Sequence, residues 1–516
     1  MSFITRRTAL KGMLATSALP LAPTLVLGQS ETPKSGGKLA YAQLSANRRS
    51  ADATNSRHPY FVVDSNVRLQ WNCLTWVNPQ LGWELEAAKR VEPTDKSLAV
   101  WEAELKEGIL FHNGKEMTSE DVVASFDYHR QNAPFARQIK RIEAVSKYVA
   151  RFYLDSGNSE FPYVLAEYNS VIMPAAPLAT IGMDGIGSGP FRIVESDPNR
   201  SLFMEKFEKY FAGPAYLDRI EIYNREGQQE AALNGLRSGQ FDAVLSIDAR
   251  AALDLSKDPD LQIEAAKGGY SFVLQLPKVP GTPMDDKRVR QAMAFAVDRD
   301  AIVRVAYGGK FGWKGNDSHL VVTDPSFVPR PGGRDVARAK ALLAEAGFAS
   351  GVDLGTLYWS PQLPEAGRYF QVLQQSLAEA GIKVKLEERP NDGYIQFRTG
   401  DADLSKGNYH KFAMTAVGSR NPGISLFRMR NAYVESGYWR GPGHDRYMAL
   451  YGQAMVEPVA ATRKAIYAQM QDILFDEVPA LLPAGGDNFL VHRKNVKAMP
   501  YHPQVWSIRF EKTWKA

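Results

Sequence analysis

Two stretches of the chain alternate between strand and helix patterns. In the first, residues 218–223 alternate between apolar and polar positions. A helical pattern over 228–236 follows and closes at Gly239, and an apolar strand follows over 241–247. This order predicts a strand–helix–strand unit.

The second unit lies much further along the chain. An extended run over 352–359 precedes a helical pattern over 368–380, and residues 382–386 then alternate as a strand. A separate helix is predicted over 335–346, with Asp335 as its N-cap. Helices that alternate with short strands predict α/β layers, and the long interval between the two units predicts two separate sheets.

The segment from 57 to 186 has a different character. It has scattered short strands, many aromatic residues and one strong helical pattern over 118–132. Thr118 or Ser119 is expected to cap this helix, and the acidic pair at 120–121 falls where the helix dipole favours negative charge.

Residues 1–28 have the composition of an export signal. Arg6, Arg7 and Lys11 precede the apolar stretch 12–27, and the segment has no acidic residue. The paired arginines are similar to the twin-arginine export signal. A membrane anchor is the alternative, but the stretch is short for the ~20 residues of a bilayer span and contains two prolines. No cysteine lies near the cleavage region, so no lipid anchor is expected, and the predicted location is a bacterial periplasm.

Composition excludes several protein classes. The chain has 516 residues, of which 44% are hydrophobic and 23% charged, with a mean hydropathy of −0.31, so a packed core is expected and a membrane-spanning protein is not. Removing the three basic residues of the export segment from the 62 of the chain leaves 59 against 57 acidic residues, which argues against nucleic-acid binding. The single cysteine, Cys73, excludes an intramolecular disulfide.

Familiar catalytic motifs are absent from the sequence. The run GIGSG at 185–189 does not fit the G-x-S-x-G nucleophile elbow, and no phosphate-binding G-x-x-x-x-G-K-[ST] loop occurs. No two of the eight histidines are three or four residues apart, so no helical metal pair is present. These observations disfavour an enzyme, a metal centre and a cofactor, although ligands that converge in space stay possible.

Several runs resemble the family 5 extracellular solute-binding proteins of ABC importers. The run MDDKRVRQAMAFAVDR at 284–299 is similar to the family's FDDVRVRQALAYAIDR. Further matches follow the family's order and are ELKEGILFHNGKEMTSEDV at 104–122, SGPFRI at 188–193, EKYFAGPAYLDRI at 208–220, GLRSGQFD at 235–242, AKALLAEAG at 339–347, LAEAGIKV at 377–384 and the helix before Pro479. Most matched residues also have structural interpretations, such as the helix face formed by Val289, Met293 and Ala296.

The resemblance implies an α/β fold of the two-lobed periplasmic binding protein type (type II-like), with an extra subdomain in lobe I. The implied boundaries are a signal peptide over 1–28, lobe I over 29–56, 187–268 and 486–516, the extra subdomain over 57–186 and lobe II over 269–485. The chain would cross between the lobes at 267–271 and 484–487. Glycine pairs at 268–269 and 485–486 suit backbone rotation there.

The implied function is capture of a solute without chemical change. A peptide or peptide-like small solute would bind between the lobes, and the closed form would deliver it to the permease subunits of an ABC transporter with their cytoplasmic ATPase. A buried solute needs partners for its charges, because an unpaired buried charge costs several kcal/mol. The resemblance further implies a soluble, periplasmic monomer.

One run departs from the dipeptide-binding branch. Those relatives have a GWTGDNGDP-like run whose first Asp pairs with the peptide ammonium; here the stretch is MTAVGSRNP at 414–422. Ala416 then replaces the Trp, Ser419 replaces the Asp and Arg420 adds positive charge. The hypothesis is a longer peptide held by its backbone, or an acidic or opine-like solute. The alternative is that another loop supplies the carboxylate or that the alignment is shifted.

The candidate ligand contacts come from both halves of the chain. They are Arg57, His58, Trp76, Gln275, Trp359, Gln362, Tyr409, Arg420 and Asn421. For the aromatic residues the competing interpretation is core packing, and for Arg420 it is a solvated loop charge. Two other functions stay open: delivery of a metal or metallophore, and a secreted hydrolase or transferase with an unfamiliar site. Turnover of a captured solute would separate the last of these from a receptor.

Overall fold

The computed structural model describes residues 31–44, 58–59, 66–197, 200–225, 227–361, 363–391, 393–399, 410–429 and 439–516. The predicted export segment and the candidates Arg57, Gln362 and Tyr409 lie outside these residues. No helix in the described ranges is long and apolar enough to cross a membrane.

Short strands and helices follow one another along the described parts of the chain. The strands are β1 Lys38–Gln43, β2 Thr75–Val77, β3 Trp83–Leu85, β4 Ala88–Pro93, β5 Val100–Leu105, β6 Ile139–Ser146, β7 Val149–Leu154, β8 Phe191–Asp197, β9 Ser201–Lys206, β10 Arg219–Asn224, β11 Ala243–Leu245, β12 Leu261–Gln275, β13 Gly312–Lys314, β14 Val352–Trp359, β15 Ile382–Glu388, β16 Ala413–Gly418, β17 Ala480–Leu481, β18 Ala484–Arg493, β19 Val496–Lys497 and β20 Trp514–Lys515. The helices are α1 Val67–Gln70, α2 Ser119–Asn132, α3 Phe161–Val164, α4 Gln229–Ser238, α5 Ala249–Leu255, α6 Lys287–Ala296, α7 Arg299–Tyr307, α8 Val336–Glu345, α9 Ala366–Glu379, α10 Tyr394–Thr399, α11 Pro422–Phe427, α12 Pro442–Val456 and α13 Ala460–Glu477.

Both predicted strand–helix–strand units are confirmed. The helix of the first unit, α4, ends at Gly239, whose φ of 82° is the left-handed conformation that favours glycine. In the second unit β14, α9 and β15 occupy the predicted positions, and β14 pairs with β15 in parallel. The helix α8 begins as expected, because the Asp335 carboxylate accepts the Arg338 backbone N–H at 2.8 Å.

The prediction of two separate sheets is wrong. One twelve-stranded sheet has the order β15-β14-β16-β12-β18-β11-β1-β10-β9-β8, with β13 and β17 paired beside it. The long strands β12 and β18 are antiparallel partners and connect its two ends. Below, the first lobe is the end formed by β1 and β8–β11, and the second lobe is the end formed by β14–β16 with α6–α13. Sequence periodicity missed the connection because strand pairing depends on distant partners.

The junction between the two ends lies within the crossing strands. Residues 261–266 of β12 pair regularly with β18, and pairing resumes at Tyr270 after a shift in register. Gly268 lies in this interruption with a φ of 78°. A side chain would be strained at this φ, so glycine allows the irregular backbone here.

A separate subdomain packs beside the first lobe. Its four-stranded antiparallel sheet has the order β4-β5-β7-β6, and β2 pairs with β3 nearby. Helix α2 begins as predicted at Thr118, where a capping box with Asp121 satisfies the first backbone donors. Phe126, Phe152 and Phe161 form the centre of the subdomain core through edge contacts between their rings.

Candidate functional site

The loop after β16 lies where the two lobes and the subdomain meet. Gly418 pairs with Tyr270 at the start of the second-lobe part of β12, and the Ser419 N–H donates to the Gly269 carbonyl at 3.0 Å. The loop therefore begins beside the junction of the crossing strands. Residues 419–423 then extend toward the subdomain.

Arg420 reaches across from the second lobe to the subdomain. Its Nε lies 3.3 Å from Oε1 of Glu167, and the two side chains are 9% and 6% exposed. The guanidinium lies 4.6 Å from the centre of the Trp506 ring and 5.7 Å from that of Phe135. The charge of Arg420 is therefore compensated by Glu167 and by the aromatic faces rather than by water.

Trp506 belongs to a C-terminal segment that lies between the lobes. Its ring packs against Tyr168 of the subdomain at 5.8 Å and against Gly418 of the second lobe. A Cβ on Gly418 would lie only 3.0 Å from the indole, so glycine permits this close approach. Trp506 thus contacts both sides of the boundary.

His502 fixes the segment that contains Trp506. The Gln504 backbone N–H donates to Nδ1 of His502 at 2.9 Å, so Nε2 bears the proton and donates to the Val77 carbonyl at 2.9 Å. Burial lowers the pKa of this imidazole to about 4, which keeps it neutral at pH 7. Asn488 also donates to the Pro503 carbonyl at 2.8 Å.

Trp76, a predicted contact, supports the same segment. Its indole N–H donates to the Ser507 carbonyl at 3.0 Å. The Arg509 guanidinium lies 5.0 Å from the ring centre, and the His502 ring is 5.9 Å away. Trp76 is half-buried and holds the C-terminal segment in place beside the boundary.

Asn421, the next predicted contact, binds the subdomain carboxylate of Glu160. Its Nδ2 and the Gly423 backbone N–H both donate to Oε2 of Glu160, the latter at 2.8 Å. The other oxygen, Oε1, accepts the Tyr467 hydroxyl at 2.9 Å and lies 3.4 Å from Nε of Arg463. Four groups of the second lobe thus surround one carboxylate of the subdomain.

Three buried polar side chains of the second lobe have unused hydrogen-bonding capacity. Gln275 is fully buried on β12, and neither its amide oxygen nor its nitrogen has a partner. The hydroxyls of Ser360, after β14, and Ser419, after β16, are also buried without a partner. Leaving such a group unsatisfied costs about 1–3 kcal/mol. The three do not form one site, because Gln275 pairs with Ala413 at the start of β16, whereas Ser419 follows its end.

The remaining described candidates pack within one body. His58 is fully buried against the Tyr128 ring at 5.3 Å, beside Gly182 in the subdomain, and burial lowers its pKa to about 4. Trp359 packs against Phe370 of α9 at 6.0 Å and joins the core of the second lobe. The structure therefore brings Arg420, Asn421 and Trp76 to the boundary and places these two aromatic rings in packing positions.

Sequence reasoning did not identify Glu160, Glu167 or Trp506. No motif marks them, and Glu167 and Arg420 are separated by 253 positions in the chain. The excess positive charge of Arg420 was a signal that a carboxylate should lie nearby, but it could not identify which one.

The described residues offer no evident metal site. No group of three or more His, Cys, Asp or Glu side chains among them is arranged to hold a metal ion. Cys73 is fully buried, burial raises its pKa to about 12, and its thiol donates to the Glu167 carbonyl at 3.4 Å. These properties are those of a structural thiol.

The family comparison covers most of the chain. The model of the bacterial extracellular solute-binding proteins, family 5 (middle region), matches residues 84–432. A dipeptide-binding protein of Escherichia coli K12 is 23% identical over 449 residues, which are 77% of this chain and 80% of that protein.

Solved structures show the same fold at low sequence identity. The peptide-bound DppA of Helicobacter pylori has a TM-score of 0.76 at 21% identity, with 93% of this chain and 98% of that one covered. AgaA of A. tumefaciens R10, solved with agropinic acid, has a TM-score of 0.75 at 23% identity and coverages of 93% and 99%. These are two-lobed periplasmic binding proteins, so the α/β two-lobed fold is confirmed. The chain belongs to family 5 of the bacterial extracellular solute-binding proteins.

Proposed function

We propose that this protein is the periplasmic receptor of an ABC importer and captures a peptide-like solute between its two lobes. The solute leaves unchanged for the permease subunits, which the cytoplasmic ATPase drives. The observation that supports this most strongly is the boundary at residues 418–423, where Arg420 of the second lobe meets Glu167 of the subdomain and Trp506 of the C-terminal segment. Contacts between separate bodies can form and break as the lobes move.

The chemistry of the loop favours a solute that is bound through neutral groups. Residues 418–423 have no acidic side chain, and Glu167 is already engaged by Arg420. A free peptide ammonium therefore lacks the carboxylate that the dipeptide-binding run supplies. Ser419, in this loop, offers a neutral donor and acceptor, which suits the amide groups of a peptide backbone.

An opine-like amino-acid conjugate is the second candidate. The structure of AgaA contains agropinic acid, and its fold matches this chain at a TM-score of 0.75. Amide-rich peptides and opine-like conjugates share polar groups that neutral side chains bind. Metal or metallophore delivery has less support, because no metal-binding cluster occurs among the described residues. A hydrolase would be recognised by turnover of its captured solute.

The proposed division into lobes follows the crossing strands. Lobe I would comprise 29–56, 187–268 and 486–516, the subdomain 57–186, and lobe II 269–485. The interrupted pairing between Ala266 and Tyr270 supports a hinge at 267–271 and 484–487. Rotation there would change the lobe angle while most strand pairs persist.

Export and assembly complete the proposal. The twin-arginine-type segment at 1–28 would direct the folded protein to the periplasm and be removed, with no lipid anchor. The mature receptor would act as a monomer. Mass spectrometry of the protein from the periplasm would identify its first residue, and retention of residues 1–28 would contradict cleavage.

Native mass spectrometry of freshly purified protein tests the function. We expect a co-purified solute of peptide-like mass, which denaturation releases with its structure intact. Calorimetric titration of stripped protein would then compare the dipeptide Met-Leu, the tetrapeptide Ser-Thr-Ser-Ala and agropinic acid. The loop chemistry predicts that Met-Leu binds weakest. Tight Met-Leu binding would contradict the proposed solute class, and chemical change of a bound solute would contradict the receptor function.

A further inference from the structure

The carboxylate of Glu160 joins the subdomain to the second lobe through four polar groups of that lobe. Asn421 Nδ2 and the Gly423 N–H approach Oε2, and the Tyr467 hydroxyl and Arg463 Nε approach Oε1. The side chain of Glu160 is 5% exposed. These contacts satisfy the buried charge from one side only, the side of the second lobe.

The backbone beside Glu160 also crosses the boundary. The Ser159 N–H donates to the Met455 carbonyl at 2.6 Å, at the end of α12, and the Ser159 hydroxyl donates to the Ala454 carbonyl at 3.4 Å. Glu160 lies in a turn at the N-cap of α3, where its backbone N–H donates to the side-chain oxygen of Asn158 at 2.8 Å. The turn is therefore fixed within the subdomain before it meets the second lobe.

The donors to Glu160 come from two elements of the second lobe. Asn421 is the N-cap residue of α11 and Gly423 lies in its first turn, directly after Arg420, while Arg463 and Tyr467 are one turn apart on α13. An apolar contact lies beside them, where Val77, Leu81 and Ala166 of the subdomain cluster with Trp313 and Val321. Opening the lobes would strip Glu160 of all four donors.

We propose that Glu160 is a positioning residue that latches the closed receptor and orients the 419–423 loop, without touching the solute. The latch is the set Glu160, Asn421, Gly423, Arg463 and Tyr467. Closure exchanges the hydration of one carboxylate for four directed donors, so the latch favours the closed form whichever solute is bound. This inference rests on the proposed capture between lobes, but its direct test needs no knowledge of the solute.

Hydrogen exchange at the Ser159 amide measures the latch in the full-length mature protein as purified. This N–H donates across the boundary and is not itself changed by substitution of Glu160. In Glu160→Gln, one oxygen is replaced by an NH2 group that faces donors, so the latch is broken with little change in shape. We expect exchange at Ser159 about tenfold faster than in wild type, which corresponds to about 1.4 kcal/mol.

Two further variants distinguish loss of the latch from a general loss of structure. Tyr467→Phe removes one hydroxyl from the opposite side of the latch and should accelerate Ser159 exchange by a smaller factor. Glu116→Gln changes another subdomain carboxylate, one that binds Lys147, Tyr148 and the Gly108 N–H within the subdomain, and should leave Ser159 unchanged. Exchange of amides in β14 and α9 should be the same in all variants.

The outcomes are decisive for the latch. Selective acceleration at Ser159 in Glu160→Gln and Tyr467→Phe supports it. Equal exchange in wild type and both variants overturns it, as does an unprotected Ser159 amide in the wild-type protein. Acceleration throughout the protein in Glu160→Gln, with no effect of Tyr467→Phe, assigns Glu160 to general stability and also overturns the latch. If the titrations reject the proposed solute class, this exchange result still stands on its own.

Discussion

The boundary between the lobes has two adjoining parts with different chemistry. On the hinge side, the crossing strands β12 and β18 are joined by backbone hydrogen bonds, and the apolar core continues from Val244 of the first lobe to Phe370 of the second. Where the segment 419–423 meets the subdomain, the contacts are instead charged and polar side chains centred on Glu160 and Glu167. Strand pairing keeps the two bodies together, so the lobes are expected to rotate about the crossing strands. Side-chain contacts can form and break, so the contacts of Glu160 and Glu167 are expected to differ between the open and closed forms.

Each side contains a buried carboxylate, and their surroundings differ. Glu365 on the hinge side accepts the Ala249 N–H at 3.2 Å and lies beside Tyr270, and burial raises its pKa to about 7. Glu160, at the subdomain contact, has four donors from the second lobe. A buried carboxylate with few donors favours its protonated form. Glu365 should therefore respond to pH, whereas the contacts of Glu160 should respond to removal of a partner.

The largest effect is expected from a small change on the hinge side. A Cβ at Gly485 would lie 2.1 Å from the Trp313 ring and 2.4 Å from the Tyr270 carbonyl. Gly485→Ala should lower the free energy of unfolding by more than about 3 kcal/mol or prevent folding, because the crossing strands cannot separate to admit the methyl group. Urea unfolding would measure this. Gly333→Ala, where nothing lies within 4 Å, is the control and should be nearly neutral.

At the subdomain contact, Arg420→Ala should cost about 3–5 kcal/mol of unfolding free energy if the second lobe and subdomain unfold together, because it leaves the buried Glu167 carboxylate unpaired. The double variant Arg420→Ala with Glu167→Gln should recover much of the loss. A double-mutant cycle measured by urea unfolding gives the coupling. Additive effects of the two substitutions would show that the pair contributes nothing across the boundary.

Two buried carboxylates should contribute to the pH response: Glu365 on the hinge side and Asp324 near Glu160, since burial raises the pKa of each to about 7. The pKa of Glu365 is raised from 4.5 to about 7, so the folded protein binds this proton more tightly than the unfolded chain does. Stability should therefore fall as the pH rises from about 4.5 to about 7, by on the order of 2 kcal/mol from this group. Glu365→Gln keeps an acceptor for the Ala249 N–H and should flatten the dependence. An unchanged pH profile of the melting temperature would exclude Glu365 as its source.

The smallest effect on the unfolding free energy is expected for Trp76, which holds the C-terminal segment. Trp76→Phe removes the indole donor to the Ser507 carbonyl and keeps most of the ring contact with Arg509. The loss should be about 1 kcal/mol in unfolding free energy. A loss in solute affinity without any change in stability would instead make Trp76 a direct solute contact.

Local patterns predicted local structure well. The unit β14-α9-β15 could be predicted because its apolar periodicity and the end of its helix before Gly381 depend only on residues that are close together in the chain. The continuous sheet was not, because the pairing of β12 with β18 joins residues more than two hundred positions apart. Alternation identifies a strand but does not identify its partner.

The same limit applies to the candidate site. Arg420 and Asn421 were identified by their place in a recognisable run, and both lie at the boundary. Their partners Glu167 and Glu160 were not identified, since only the fold brings the subdomain to that loop. His58 and Trp359 were chosen for their chemistry, but residue type does not fix burial, and both pack against aromatic neighbours.

Small-angle X-ray scattering tests the central claim of closure over an unaltered solute most directly. The protein is compared after removal of its co-purified solute by unfolding and refolding, and again after the same solute is returned. We predict a smaller radius of gyration with solute, reversed when the solute is removed, and recovery of the solute with unchanged mass. Identical scattering curves in the two states, with the solute demonstrably bound, would contradict the account.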